Sequence, residues 1–139
     1  MPVSFHSEQT DFSVSNEPQI KGWLEEVCRK EGQSLDEVTI IFCSDDYLLE
    51  VNRTHLNHDY YTDIITFDYS ESSLISGDLF ISIDRVAENA KELNIPMLDE
   101  LHRIIVHGTL HLLGYTDKET EAKQQMTAKE DYYLSLRTF

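Results

Sequence analysis

The sequence predicts an α+β fold, a single compact domain spanning residues 1–139, in which a mixed sheet of about four strands packs with helices and a buried helix carries a metal motif. Three observations predict it. Apolar periodicity orders the chain as strand, helix, strand, helix, two strands and then helices to the end. The stretch VTIIFC at 38–43 is a continuous, largely β-branched run, as in a strand covered on both faces. The stretch LHRIIVHGTLHLLG at 101–114 is apolar on nearly every side, which marks a helix enclosed by protein.

Taken in order, VSFHSE near the N-terminus alternates as a strand does, with His6 on the exposed side and Phe12 and Val14 covering a neighbour. A helix begins at Ser15 or Asn16 with Pro18 in its first turn. Ile20, Trp23, Leu24, Val27 and Cys28 recur at helical spacing until Gly32 stops it, and Arg29 and Lys30 sit where the helix dipole favours cations. After the strand at 38–43, Ser44, Asp45 and Asp46 open a helix running through Leu48, Leu49, Val51 and Asn52 towards Leu56. NHDYYTD is a polar loop and the following ITF a strand. SESSLISG at 70–77 lacks periodicity and reads as a flexible connection, followed by the strand DLFISI, which makes a hairpin across 62–83. Asp84 caps a helix holding Val86, Ala87, Ala90 and Leu93, and Asn94-Ile95-Pro96 separates it from the buried helix. Glu100 is expected there as a surface acid favoured by the dipole, or else as an orienter of an imidazole. A terminal amphipathic helix over 119–136 turns Ala122, Met126, Tyr133 and Leu136 inwards, and Tyr132, Tyr133 and Phe139 pack.

Composition narrows the function. With 26 acidic and 11 basic residues the formal net charge is −15, opposite to the footprint of a nucleic-acid-binding surface, so any RNA role rests on a local positive site or a partner. The two cysteines, Cys28 and Cys43, fall in a helix and a strand and are expected as free core thiols. The opening MPVSFHSE has no apolar leader, and no run approaches the ~20 apolar residues a membrane span needs. A cytoplasmic protein without a membrane partner is expected.

The chemistry concentrates in HGTLHLLGYTD, residues 107–117. His107 and His111 lie four residues apart, a separation that brings two helical side chains within about 40° of each other on one face. Gly114 supplies a left-handed residue that ends the helix and turns the chain back, bringing Asp117 in as a third ligand. Three protein ligands with an open position is the arrangement of a catalytic zinc centre, whereas structural zinc is closed by four. The adjacent segment 52–63 is dense in polar groups: Arg53 is a candidate for contacting an anionic substrate, and His58, Asp59 and Asp63 are weak candidates for the general base.

These residues resemble the YbeY family of bacterial single-strand-specific endoribonucleases, the 16S rRNA maturation factors. The resemblance rests on HGTLHLLGYTD, NRTHLNHDYYTDIITF at 52–67, GDLFISI at 77–83, and Met126 with Glu130, in that order over roughly 37–134. It implies a metal-dependent endoribonuclease with one zinc per chain, acting in rRNA processing and ribosome quality control. The implied partners are rRNA and the ribosome or its small-subunit proteins, with no DNA expected. Two positions depart from the family pattern. Asp117 stands where the family has a third histidine, and a hard oxygen donor makes manganese or iron less implausible. His55-Leu56 stands where the family has Tyr-Arg, which removes an arginine expected to face the substrate.

A bound metal can activate water or polarise a phosphoryl oxygen, and either suits phosphodiester cleavage. Two rival readings stand beside this one. A zinc peptidase shares the ligand spacing, but it needs a glutamate directly after the first histidine, where this chain has Gly108. A non-catalytic ribosome-associated metal-binding factor fits the acidic charge and the missing arginine.

Overall fold

The computed structural model describes residues 2–139 and contains nine elements. They are β1 (Val3–Glu8), α1 (Glu17–Lys30), β2 (Ser34–Cys43), α2 (Asp45–Leu56), β3 (Ile64–Asp68), β4 (Leu74–Ser82), α3 (Ile83–Leu93), α4 (Met97–Leu112) and α5 (Thr120–Ser135). The strands form one sheet in the order β1-β2-β4-β3. β1, β2 and β4 run parallel, and β3 pairs antiparallel with β4. The topology follows from the connections: a parallel pair needs a crossover such as α1, whereas β3 and β4 are close enough in sequence for a hairpin. The expected mixed sheet is therefore present.

The strands alternate their side chains between two covers. Ile40, Phe42, Leu79 and Ile81 join the main core with α1, α3 and α4, while Cys43, Ile65 and Phe80 turn to α2. At the centre lies α4, with Leu101, Ile105, Val106 and Leu110 fully buried. Burying a Leu, Ile or Val side chain contributes about 1.5–3 kcal/mol, so this helix is held by tertiary packing. It comes close to the sheet at Gly108, where a Cβ would lie 2.8 Å from Ile64 Cδ1 and 2.9 Å from Leu79 Cδ2. Both cysteines are buried and free, and burial pushes each thiol up to about 12. Among the described residues no helix is long and apolar enough to cross a membrane.

Several boundaries differ from the sequence expectation. β2 begins at Ser34, not 38, and β4 at Leu74, not 78, because the residues at both starts, which lack a continuous apolar pattern, pair through the backbone in register Ser34↔Leu74 and Leu35↔Ile75. The segment 70–77 is thus half strand, closed by a turn in which Glu71 and Leu74 exchange backbone hydrogen bonds. Ser82, not Asp84, caps α3 by accepting from Arg85 N, and Asp84 instead accepts from Asp45 N. Glu100 is no surface acid: it is 3 % exposed, beside Arg103 Nε at 3.5 Å. On α5 the inward residues are Met126, Glu130 and Tyr133, whereas Leu136 and Tyr132 are exposed.

The C-terminus seals α4 to α1. Phe139 packs edge-on against Trp23 and His102, and Arg137 donates to His102 Nδ1 at 2.6 Å. The His102 ring therefore carries its proton on Nε2, which has no hydrogen-bond partner among the described residues. Burial, reinforced by the charge of Arg137, lowers its pKa to about 4. Between that value and about 6.5 the unfolded chain binds the proton and the folded one does not, so stability rises with pH across this window and is lost as pH falls through it. At about 1.4 kcal/mol per unit, the loss from this group between pH 7.5 and pH 5.0 is expected to be roughly 2 kcal/mol. Urea unfolding of wild type and His102→Gln at the two pH values checks it. Equal pH dependence of the two proteins contradicts the assignment.

Candidate metal centre

His107 and His111 occupy the last two turns of α4, one above the other, with ring centroids 4.6 Å apart. The helix stops at Gly114, whose φ of +103° suits glycine best. Gly114 N donates to His111 O and Tyr115 N to Leu110 O, both at 3.0 Å, and this hydrogen-bonded stop reverses the chain towards Asp117. His107 Nε2 and His111 Nε2 are 3.0 Å apart, and Asp117 Oδ2 lies 3.3 Å from the first and 3.7 Å from the second. A tetrahedral zinc with ligand bonds of about 2.0–2.1 Å spaces its ligand atoms by roughly 3.3–3.4 Å, so the three donors are pre-set for one ion.

The hydrogen bonds behind the rings strengthen that fit. His107 Nδ1 lies 2.6 Å from Glu130 Oε2, and His111 Nδ1 lies 3.0 Å from the carbonyl of Tyr115. Both partners are acceptors, so each ring carries a proton on Nδ1 and presents a lone pair on Nε2. Two lone pairs and a carboxylate oxygen then converge with no donor between them. Such a group is one that could hold a metal ion, and the C-terminal end of α4 favours positive charge at the same point. The titration of the rings has the same cause. Burial pushes His107 down, but the hydrogen bond and charge of Glu130, with the charge of Asp117, hold it above the ordinary histidine value. Burial and then the charge of His107 hold His111 below it.

Residues distant in sequence brace the centre. Glu130 also meets Arg103 Nη1 at 3.1 Å, which balances its charge in a buried position. Tyr115, whose carbonyl orients His111, donates its hydroxyl to Glu31 Oε1 at 2.6 Å, and Lys129 Nζ and the Tyr133 hydroxyl donate to Glu31 Oε2. Burial alone would raise the Glu31 pKa, but these donors outweigh it and hold the group below the usual carboxylate range. Sequence reasoning gave Glu31 no role and placed Glu130 only as part of a family pattern. A signal for Glu130 was available, since it lies on the inward stripe of α5 with Met126 and Tyr133.

The ligand group opens into a cleft of about 560 Å³, and Asp117 keeps its side chain 38 % exposed. Leu56, His58, Tyr60, Asp63 and Lys118 line the same cleft. His58 and Asp63 therefore come to the site, whereas Arg53 and Asp59 do not line it. Arg53 Nε is bound to Asp59 at 2.5 Å and its Nη1 to Glu50 at 2.8 Å. Two other depressions, of about 460 and 510 Å³, lie at an acidic face with Asp36, Glu37 and Asp78 and beside Lys30 and Tyr132. Size alone does not single out the site. Among the described residues, His107, His111 and Asp117 form the group whose donor atoms all lie within 4.8 Å of one another.

Known proteins share this chain's sequence along its length. The family described as Endoribonuclease YbeY matches residues 3–137. A protein of Cytophaga hutchinsonii named Endoribonuclease YbeY is 52 % identical, covering 99 % of this chain and 96 % of its own. One of the same name from Phocaeicola vulgatus is 48 % identical, covering 96 % and 97 %. The solution structure of TM1509 from Thermotoga maritima superposes with a TM-score of 0.66 at 28 % identity, covering 96 % of this chain and 87 % of that one.

Proposed function

Because the chain belongs to the YbeY endoribonuclease family and is a metal-dependent RNA-cleaving hydrolase, we propose that it cleaves single-stranded rRNA with one zinc held by His107, His111 and Asp117. The observation that carries the residue assignment is the convergence of two Nε2 lone pairs and a carboxylate oxygen at 3.0–3.7 Å, with both Nδ1 atoms committed elsewhere. Bound there, zinc would supply Lewis-acid stabilisation of the charge that builds on a phosphoryl oxygen.

The protein's own groups do the rest. Glu130 fixes the His107 ring and Tyr115 the His111 ring, so neither must reorganise when the ion is held. Among the described residues, Lys118 is the one Lys or Arg lining the cleft, and it adds positive charge beside the ligand group. His58 and Asp63 face the same space and are candidates to take or return a proton. With a chain charge of −15, affinity for RNA depends on this local site, because salt screens repulsion from distant carboxylates beyond about 8–10 Å.

The peptidase alternative lacks its proton acceptor: Gly108 stands directly after the first histidine, where that chemistry needs a glutamate. The biological setting we propose is 16S rRNA maturation at the ribosome, in the cytoplasm. Purified protein is expected to cut single-stranded rRNA fragments, to lose that activity on chelation, and to regain it with stoichiometric zinc. Full metal occupancy without cleavage across a range of divalent ions would turn the assignment towards a non-catalytic ribosomal factor.

A further inference from the structure

Much of the cleft wall beyond the metal group is apolar and aromatic. Leu56, at the end of α2, and His58 and Tyr60, from the connection between α2 and β3, line it. The His58 and Tyr60 rings are stacked, with centroids 5.2 Å apart and planes 22° from parallel, and the Tyr60 hydroxyl shares a hydrogen bond with His58 Nδ1 at 3.0 Å. Tyr60 is nevertheless 55 % exposed. Its backbone is not loose, because the side chain of Asn52, a residue only 1 % exposed, donates from Nδ2 to Tyr60 O at 2.9 Å, and the Asn52 backbone carbonyl accepts from His58 N at 3.1 Å. A buried amide thus fixes a loop whose aromatic rings stand in the solvent of the cleft.

We propose that the Tyr60–His58 stack is a nucleobase subsite, on which one unpaired base of the RNA stacks while its backbone runs to the metal group. The proposal rests on the RNA-cleaving reading above and adds the contact by which the strand is gripped. Aromatic faces bind any base by stacking, without hydrogen-bond readout, and only an unstacked base can reach them. Such a platform therefore favours single strands over duplex. It also answers the charge problem, since Lys118 is the one Lys or Arg in the cleft lining and Arg53 is occupied by Asp59 and Glu50. Stacking supplies affinity that does not depend on neutralising phosphates.

The test is steady-state cleavage by the zinc-loaded protein of a single-stranded RNA, and of copies carrying one abasic nucleotide at successive positions around the cut. Tyr60→Ala is expected to raise KM on intact RNA about tenfold, with a smaller effect on kcat, while Tyr60→Trp keeps wild-type KM. One abasic position should raise the wild-type KM by a similar factor and leave Tyr60→Ala no worse. Equal KM for wild type and Tyr60→Ala, or a Tyr60→Ala loss independent of every abasic position, overturns the subsite and leaves the ribonuclease standing. A fully metallated wild type that cuts no single-stranded RNA overturns both.

Discussion

Alanine at His107, at His111 or at Asp117 is expected to reduce retained zinc from about one per chain to a small fraction, and RNA cleavage by on the order of 10³-fold. The size follows from what the ion does. Lewis-acid stabilisation is worth several kcal/mol of transition-state energy, and about 1.4 kcal/mol corresponds to tenfold in rate. The three variants should differ in a diagnostic way. His107 and His111 are buried deeper than Asp117 and each is oriented from behind, so losing either also leaves Glu130 or the Tyr115 carbonyl without its donor. Asp117 is the most exposed of the three, so its alanine variant should keep wild-type stability in the metal-free state. Elemental analysis, with urea unfolding of the apo forms, checks the series. Undiminished zinc in any of the three would contradict its place in the centre.

Glu130→Gln is expected to weaken metal affinity about 10- to 100-fold although Glu130 does not bind the ion. The amide keeps the shape but loses the charge that makes the His107 ring a stronger donor through its Nδ1 proton. Glu130→Ala should be worse on a second count. It removes one partner of a buried ion pair with Arg103, a change that typically costs about 3–5 kcal/mol, although Glu100 and Asp131 remain within 3.6 Å of the guanidinium and soften the loss. Competition against a chromophoric chelator gives the affinity, and urea unfolding gives the stability. A role in packing alone predicts that the glutamine variant binds zinc as tightly as wild type.

The convergence of His107, His111 and Asp117 was legible because its determinants are local. His107 and His111 are fixed by helical spacing, and Gly114 by the need for a left-handed stop, all within one short stretch. The buried character of α4 was equally plain from its lack of a polar face. What the sequence concealed was non-local pairing. Glu31 meets Tyr115 across 84 residues and Glu130 meets His107 across 23, and in a chain with 26 acids neither stands out by composition. Glu100 misled for a related reason. First-turn acids usually sit at the surface for the helix dipole, but here Glu100 lies on the inward side of the first turn of α4, where it is packed beside Arg103. The same logic extended β2 and β4 beyond their apolar runs, since Ser34 and Ser76 contribute to the ladder through the backbone and not through side chains.

The ligand geometry is tested most directly by a crystal structure of the zinc-loaded protein with anomalous scattering at the zinc edge. One ion is expected, bonded to His107 Nε2, His111 Nε2 and an Asp117 carboxylate oxygen, with Glu130 still on His107 Nδ1. An ion bound elsewhere, or a centre in which Asp117 turns away and another group takes its place, would contradict the account.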